Sequence, residues 1–443
     1  MRDFLSKLDL KEEGDRLTAL SEIFREREKT GSLPERTEEV NNHVHTRYSF
    51  SPYYPAQAAF MAWDSGLKTV GIMDHDSLAG AAEMIEACKI LGIYSTVGFE
   101  IRVNAINTGL EGRKINNPDS ENILYMAAHG IAPRYFDQAD DFLKPVRLER
   151  AKRNARQTDR LNRILSGRDL PKLDFENDVL GNSLVHKGGT VTERHILAAL
   201  ADKLIGIWGR GRDLVNNLDS QLSISPQGRL KDLLSDPENP YLVYDLLGVL
   251  KSYLLPSFFI QPGYEECVNV RIAADFIRQI NAIPAYAYLG DVADSPTGDK
   301  VAEKFEDSYL DLLFKEINGL GFEAVTYMPP RNTARQLKRL RELCRKYGMM
   351  EISGVDINSA RQSFNCPKIL EPDFKSLIDS AWALIAHEKL SDLDPAFGLF
   401  SDENSLAKAP LSERTAIYAE YGKTINPETL LIEEVPGFRS EAC

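Results

Sequence analysis

A chain of 443 residues exceeds one average domain of about 100–200 residues, and suits either one large domain with sizeable additions or two domains. With 43% hydrophobic and 27% charged residues it is globular, which excludes a disordered chain, a collagen-like fibre and a coiled-coil rod. Its 66 acidic side chains outnumber the 53 basic ones for a net charge of −13, so it repels phosphate backbones and is not expected to coat extended nucleic acid.

Along the chain, residues 1–38 are highly charged and predict one or two amphipathic helices followed by a linker. The opening MRDFLSKLDLKEEGDRL has no apolar segment of signal-peptide length, and no apolar run approaches the ~20 residues of a membrane span. The five cysteines (Cys88, Cys267, Cys344, Cys366 and Cys443) show neither metal-ligand spacing nor a disulfide framework, which predicts a soluble, cytoplasmic protein. From residue 39 apolar, β-branched runs alternate with helical patterns. The runs 68–74, 94–103 and 122–130 read as strands, and 78–92 as a helix. Residues 131–264 then read as helix and loop, with a basic helix at 146–165. The alternation resumes with a helix at 268–281, a strand at 282–289, a strand at 322–328, a helix at 333–348 and a strand at 349–356. Such alternation implies a parallel sheet covered by helices, with functional groups at the C-terminal ends of its strands. The tail, 366–443, has helical stretches and no readable motif.

The seven histidines carry the chemical signal. His43 and His45 stand two apart, which in a strand places both imidazoles on one face, within reach of one ion. His75 closes GIMDH, Glu100 lies late in the strand 94–103, His129 ends NILYMAAH and Asp356 ends MEISGVD. Each alone has an ordinary role open to it, as a core histidine or a helix cap. Together they place six groups of metal-ligand type at strand ends, and imidazole with carboxylate suits zinc, manganese or iron.

The succession H-x-H, D-H-D about thirty residues later, G-x-E, a strand-terminal His and a late G-x-D resembles the PHP (polymerase and histidinol phosphatase) family over about 39–130 and 265–365. TVTERHILAAL at 190–200 and the basic helix before it are also similar, and the match leans to the branch acting on small molecules and nucleotides. The resemblance implies an α/β fold, a distorted (β/α)7 barrel built from 39–130 and 265–365. It would carry an N-terminal extension (1–38), a large helical insertion (131–264) and a C-terminal extension (366–443). It implies phosphoester hydrolysis by a metal-bound hydroxide, with His43, His45, His75, Glu100, His129 and Asp356 as metal ligands. His195 and Arg194 would face substrate, with Arg153 and Arg156 as further phosphate contacts, and Asp74 would orient an imidazole.

Three positions depart from the family pattern. Phe50 stands where a ligand follows H-x-H, Tyr288 replaces a histidine and takes a catalytic or liganding role, and Asn358 replaces the last histidine. The first metal keeps all its ligands, the second is weakened and the third is lost, so one or two divalent ions are expected rather than three. Asp291 and Asp294 are possible substitute ligands, though loop acids are the plainer reading. The expected partner is a small-molecule phosphoester. No extended nucleic acid or membrane is expected, and an oligomer is possible. The alternative is a catalytically weak barrel that serves as a metal-stabilised binding or regulatory module.

Overall fold

In a computed structural model, which describes residues 2–117, 120–168, 170–294, 301–303 and 305–426, the apolar runs form strands wrapped by helices. The strands are β1 (Asn41–Val44), β2 (Thr69–His75), β3 (Tyr94–Asn104), β4 (Ile123–His129), β5 (Ile283–Ala287), β6 (Val292–Asp294), β7 (Val301–Glu303), β8 (Ala324–Tyr327) and β9 (Met350–Ser353). Seven of them pair in the order β1-β2-β3-β4-β5-β8-β9, while β6 and β7 form a separate antiparallel ribbon. The first and last strands of the sheet also meet. The His45 N–H donates to the Ile357 carbonyl at 3.0 Å, the Ile357 N–H to His43 at 3.1 Å, and Asn42 Nδ2 to the Ser353 carbonyl at 2.8 Å. The sheet thereby curls into a nearly closed barrel of the distorted TIM type.

One strand breaks the expected parallel order. β4 pairs antiparallel with both β3 and β5, whereas the other neighbouring pairs are parallel. Parallel neighbours need a long crossover, usually a helix. The 105–122 connection holds no helix among its described residues, so the chain reverses instead. The start of β4 therefore lies at the mouth formed by the C-terminal ends of its neighbours, and its end lies below. Opposite β3, Arg102 faces Tyr125, Glu100 faces Ala127 and Gly98 faces His129.

Local signals place the helices around this barrel. Pro55 opens the helix Pro55–Asp64, its preset φ suiting the first helical position. Gly92, at φ +63, ends Ala81–Leu91 in a left-handed cap. Thr333 and Gln336 form a capping box that starts Ala334–Tyr347. The N-terminal helix Glu13–Lys29 is tied to the barrel wall by Arg16, whose guanidinium donates to both Glu83 oxygens at 2.7 and 2.5 Å. The C-terminal helix Lys375–Leu393 is buried along most of its length, and Glu388 accepts the Val97 N–H of β3 at 2.6 Å.

Between β4 and β5 the chain builds the helices Phe136–Ser166, Glu193–Trp208, Arg212–Leu222, Gly228–Ser235 and Leu242–Phe258. They enclose an apolar cluster of their own, including Leu161, Leu200, Leu214, Leu246, Leu250 and Phe258, apart from the cluster that fills the barrel. Each such side chain contributes about 1.5–3 kcal/mol on burial, enough to hold these helices together as a unit. Among the described residues no helix is long and apolar enough to cross a membrane. Cys88, Cys267, Cys344 and Cys366 are buried thiols, and Cys443 lies outside the described residues.

Candidate metal centre

β1 carries His43, and His45 follows it where the chain still pairs with Ile357. Gly354 lets the loop after β9 lie against this strand, since a Cβ there would fall 2.4 Å from His43 Cβ. Asn41 Oδ1 accepts from the N–H groups of both His43 and Val355 at 3.0 Å, pinning the loop further. Asp356 is thus delivered to the imidazoles, with Oδ1 3.2 Å from His45 Nε2. The His43 and His45 rings lie 5.1 Å apart. From β3, Glu100 completes a group in which one donor atom each of His43, His45 and Glu100 lies within 4.8 Å of the others. His75 adds Nδ1 at 3.0 Å from Glu100 Oε2, with its ring 4.6 Å from that of His45.

The support beneath this group is polar and buried. Asp74 accepts from the Thr46 N–H at 2.6 Å and from the Thr46 and Ser49 hydroxyls at 2.5 Å, which fixes the turn after His45. Ser49 Oγ also lies 3.4 Å from His45 Nδ1, linking the buried carboxylate to that imidazole. Burial holds His43 below the ordinary histidine range, and burial with the charges of His45 and Arg150 holds His75 well below it. Burial opposes charge on His45 as well, but the Asp356 hydrogen bond and the field of Glu100 and Asp74 outweigh it and raise this pKa. Burial raises Glu100; it would raise Asp356 too, but the hydrogen bond and charge of His45 hold that carboxyl well below its usual range. Imidazoles beside carboxylates are the donors that a divalent cation of the zinc, manganese or iron kind takes, displacing any proton on them, so the residue set fits such an ion.

The remaining sequence-predicted residues are placed differently. His129 is buried at the level of Gly98, one step below Glu100 on the same face, and it stands outside the His43–His45–Glu100 group. Its Nε2 has no hydrogen-bond partner, and burial followed by the charge of His43 pushes its pKa down to about 3. His195 sits in the first turn of its helix, where Nδ1 accepts the Thr192 N–H at 3.0 Å and the ring meets Phe50 edge-on at 4.9 Å. Burial and Arg150 push its pKa down to about 3, so it is a neutral helix-capping imidazole. Arg194 reaches the mouth, with Nη1 3.4 Å from the Asn358 carbonyl and the guanidinium 5.8 Å from the Phe50 ring. Arg153 is held by Glu266 and Glu193, and Arg156 is exposed.

The three departing positions each have a new partner. Phe50 adopts φ +88, a conformation that costs a bulky residue about 1–3 kcal/mol, and packs against the apolar cluster of the inserted helices. The Tyr288 hydroxyl donates to Asp307 Oδ1 at 2.6 Å; burial and the nearby Glu306 and Asp307 carboxylates raise its pKa, so it is a neutral phenol. Asn358 Nδ2 donates to Asp356 Oδ1 at 2.8 Å and so holds a ligand in place. Asp291 accepts from the Phe305 N–H at 2.8 Å, as a loop acid does, and the side chain of Asp294 lies outside the described residues.

A cavity of about 570 Å³ opens over the group, lined by His43, His45, His75, Glu100 and Asp356. Its walls include Arg102 and Arg150, which sequence reasoning missed, Lys251 and Leu255 from the inserted helix Leu242–Phe258, and Phe259 just after it. Arg102 had a signal: it stands two residues after Glu100 in one strand, hence on the same face. Arg150 had none, because a basic helix does not announce which face it buries.

No family model and no curated protein matches this chain. Among solved structures, a candidate metal-dependent phosphoesterase from Bifidobacterium adolescentis is 16% identical with a TM-score of 0.48, covering 78% of this chain and 97% of its own. An amidohydrolase from Chromobacterium violaceum, with bound sulfate and no metal, is 15% identical with a TM-score of 0.48, covering 74% and 90%. At these identities and scores the likenesses say nothing about what this chain acts on.

Proposed function

We propose that this chain is a metal-dependent hydrolase that cleaves the phosphoester of a small molecule. The carrying observation is the convergence of His43, His45, His75, Glu100 and Asp356 at the mouth of one cavity whose wall bears guanidinium groups. His43, His45, Glu100 and Asp356 would hold the first ion, with His75 beside them. Such a metal, when bound, supplies Lewis acidity toward water and phosphoryl oxygen. The chain's own residues do the rest. Asn358 holds Asp356, and Asp74 holds the Ser49 hydroxyl beside His45, so the donors are set before any ligand arrives. Arg194, at the rim, offers its remaining donors to phosphoryl oxygens. Leu255 and Phe259 add an apolar wall to the cavity. The buried thiols suit a reducing, cytoplasmic setting.

The engagement of Tyr288 by Asp307 and of Asn358 by Asp356 favours one ion, or a second held weakly. The same engagement motivates the second reading, a barrel that binds a metal and a ligand without turnover. Metal content per chain, measured on protein purified without chelator beside His43→Ala, tests both readings together with turnover of phosphomonoesters and phosphodiesters in manganese and zinc. At least one ion per chain and turnover that requires His43 support the hydrolase. A bound ion with no turnover of any ester would leave the binding module.

A further inference from the structure

Beside the ligand group, three arginines meet around Glu266, and they differ in what they touch. Glu266 is 3% exposed and stands just before the helix Val270–Gln279. All three Arg153 nitrogens are engaged. Its Nε and Nη2 donate to the two Glu266 oxygens at 2.5 and 2.9 Å, and its Nη1 to Glu193 at 2.6 Å and to the Ile260 carbonyl at 3.1 Å. It does not line the cavity. Arg102 and Arg150 both do. Arg102 makes one hydrogen bond, from Nη2 to Glu266 at 2.6 Å. Arg150 makes one, from Nη1 to Asp76, and its Nε, 3.8 Å from Glu266, has no hydrogen-bond partner although the residue is only 3% exposed. A guanidinium carries five N–H donors, so both residues keep unbonded ones; Arg150 Nε is itself sealed from solvent, which leaves that residue's terminal N–H groups for the cavity.

Nearly buried donors without acceptors cost free energy, about 1–3 kcal/mol for each group left unsatisfied. The Arg102 and Arg150 guanidiniums are set on one wall by Glu266 and Asp76, while Glu193, the acid on that wall, is turned to Arg153. Arg102 lies two residues beyond Glu100 on the same face of β3, so its backbone stands roughly 6–7 Å nearer the rim than that ligand. We propose that Arg102 and Arg150 form a preorganised oxyanion subsite that binds a phosphoryl group independently of the metal ligands. A phosphoryl group fits better than a carboxylate because its three oxygens and charge near −2 can occupy donors from both guanidiniums. The inference rests on the hydrolase reading only for the statement that the phosphoryl group belongs to a substrate. Glu266 is then a positioning residue.

Calorimetric titration with inorganic phosphate tests this on wild type, His43→Ala and Arg102→Met, each as purified and after chelation. After chelation, phosphate should bind wild type and His43→Ala alike, and about tenfold to a hundredfold more weakly to Arg102→Met, the range for hydrogen bonds to a charged group; any extra affinity before chelation reports the metal. Arg153 keeps its paired contacts to Glu266 in that variant, so the fold has support without Arg102. Should its melting curve show otherwise, Arg102→Lys gives the same readout with an intermediate loss. Phosphate binding that is absent from wild type, lost in His43→Ala, or unchanged in Arg102→Met overturns the subsite. Acetate binding as tight as phosphate overturns its phosphoryl character. If no ester is turned over but phosphate binding still depends on Arg102, the hydrolase reading fails and the subsite stands.

Discussion

On one side of the barrel mouth, β1, β3 and the loop after β9 turn His43, His45, Glu100 and Asp356 toward one another. On the other side, β5 leads to Tyr288, whose hydroxyl is given to Asp307, while Glu306 behind it accepts the Leu289 and Gly290 N–H groups and the Tyr286 hydroxyl. Both sides place polar groups at the C-terminal ends of strands. On the first, the donors face one another with lone pairs left over for a cation. On the second, hydrogen bonds between neighbours satisfy the groups and brace the loop. A strand end supplies a position, and the partners of the side chain decide whether that position becomes ligand or scaffold.

The largest expected effect breaks the first side. His43→Ala should remove most bound metal and lower turnover by about a thousandfold, the scale of several kcal/mol of lost charge stabilisation. Elemental analysis beside a steady-state assay reads both, and full metal content in the variant would dismantle the assigned centre. A smaller loss is expected from Asn358→Ala, which frees Asp356 without removing a ligand. Metal affinity should weaken about tenfold to a hundredfold, and competition with a fluorescent chelator measures it.

The second side should respond in stability. Burial, ahead of its hydrogen bonds, pushes Glu306 up to about 8, so the folded state binds this proton more tightly than the unfolded chain does. Its contribution is fully present below the ordinary glutamate pKa of roughly 4.3 and is lost as pH rises through about 8. Wild type should therefore lose stability between pH 5 and 9, by up to a few kcal/mol, and Glu306→Gln should flatten that decline in urea melts. Parallel profiles for the two proteins would remove Glu306 as the cause. The smallest effect is assigned to Tyr288→Phe: metal content unchanged, turnover within about threefold, and a stability loss of about 1 kcal/mol from the broken Asp307 bond. A drop in metal content would move Tyr288 to the ligand side and erase the contrast.

Much of the fold was legible in the sequence because its signals are local. The β-branched runs at 68–74 and 94–103 and the helical pattern at 78–92 declare their types through side-chain periodicity. His43 and His45 were readable as a pair because two residues along a strand return to one face. His129 looked equivalent to His75, since both end apolar runs. Only the direction of β4 separates them, and that direction follows from a connection with no helix among its described residues.

The sequence by itself determined the strand–helix succession and the kinds of donor near the strand ends, because periodicity and residue chemistry act over a few neighbours. The tertiary structure alone decided which donors meet. Asp356 reaches His45 through a loop that Gly354 seats against β1, and His129 drops a step below the mouth. Arg102 finds Glu266 across 164 residues, and Tyr288 finds Asp307 rather than a cation. Such contacts depend on strand direction and on chain segments far apart in sequence, which no local pattern encodes.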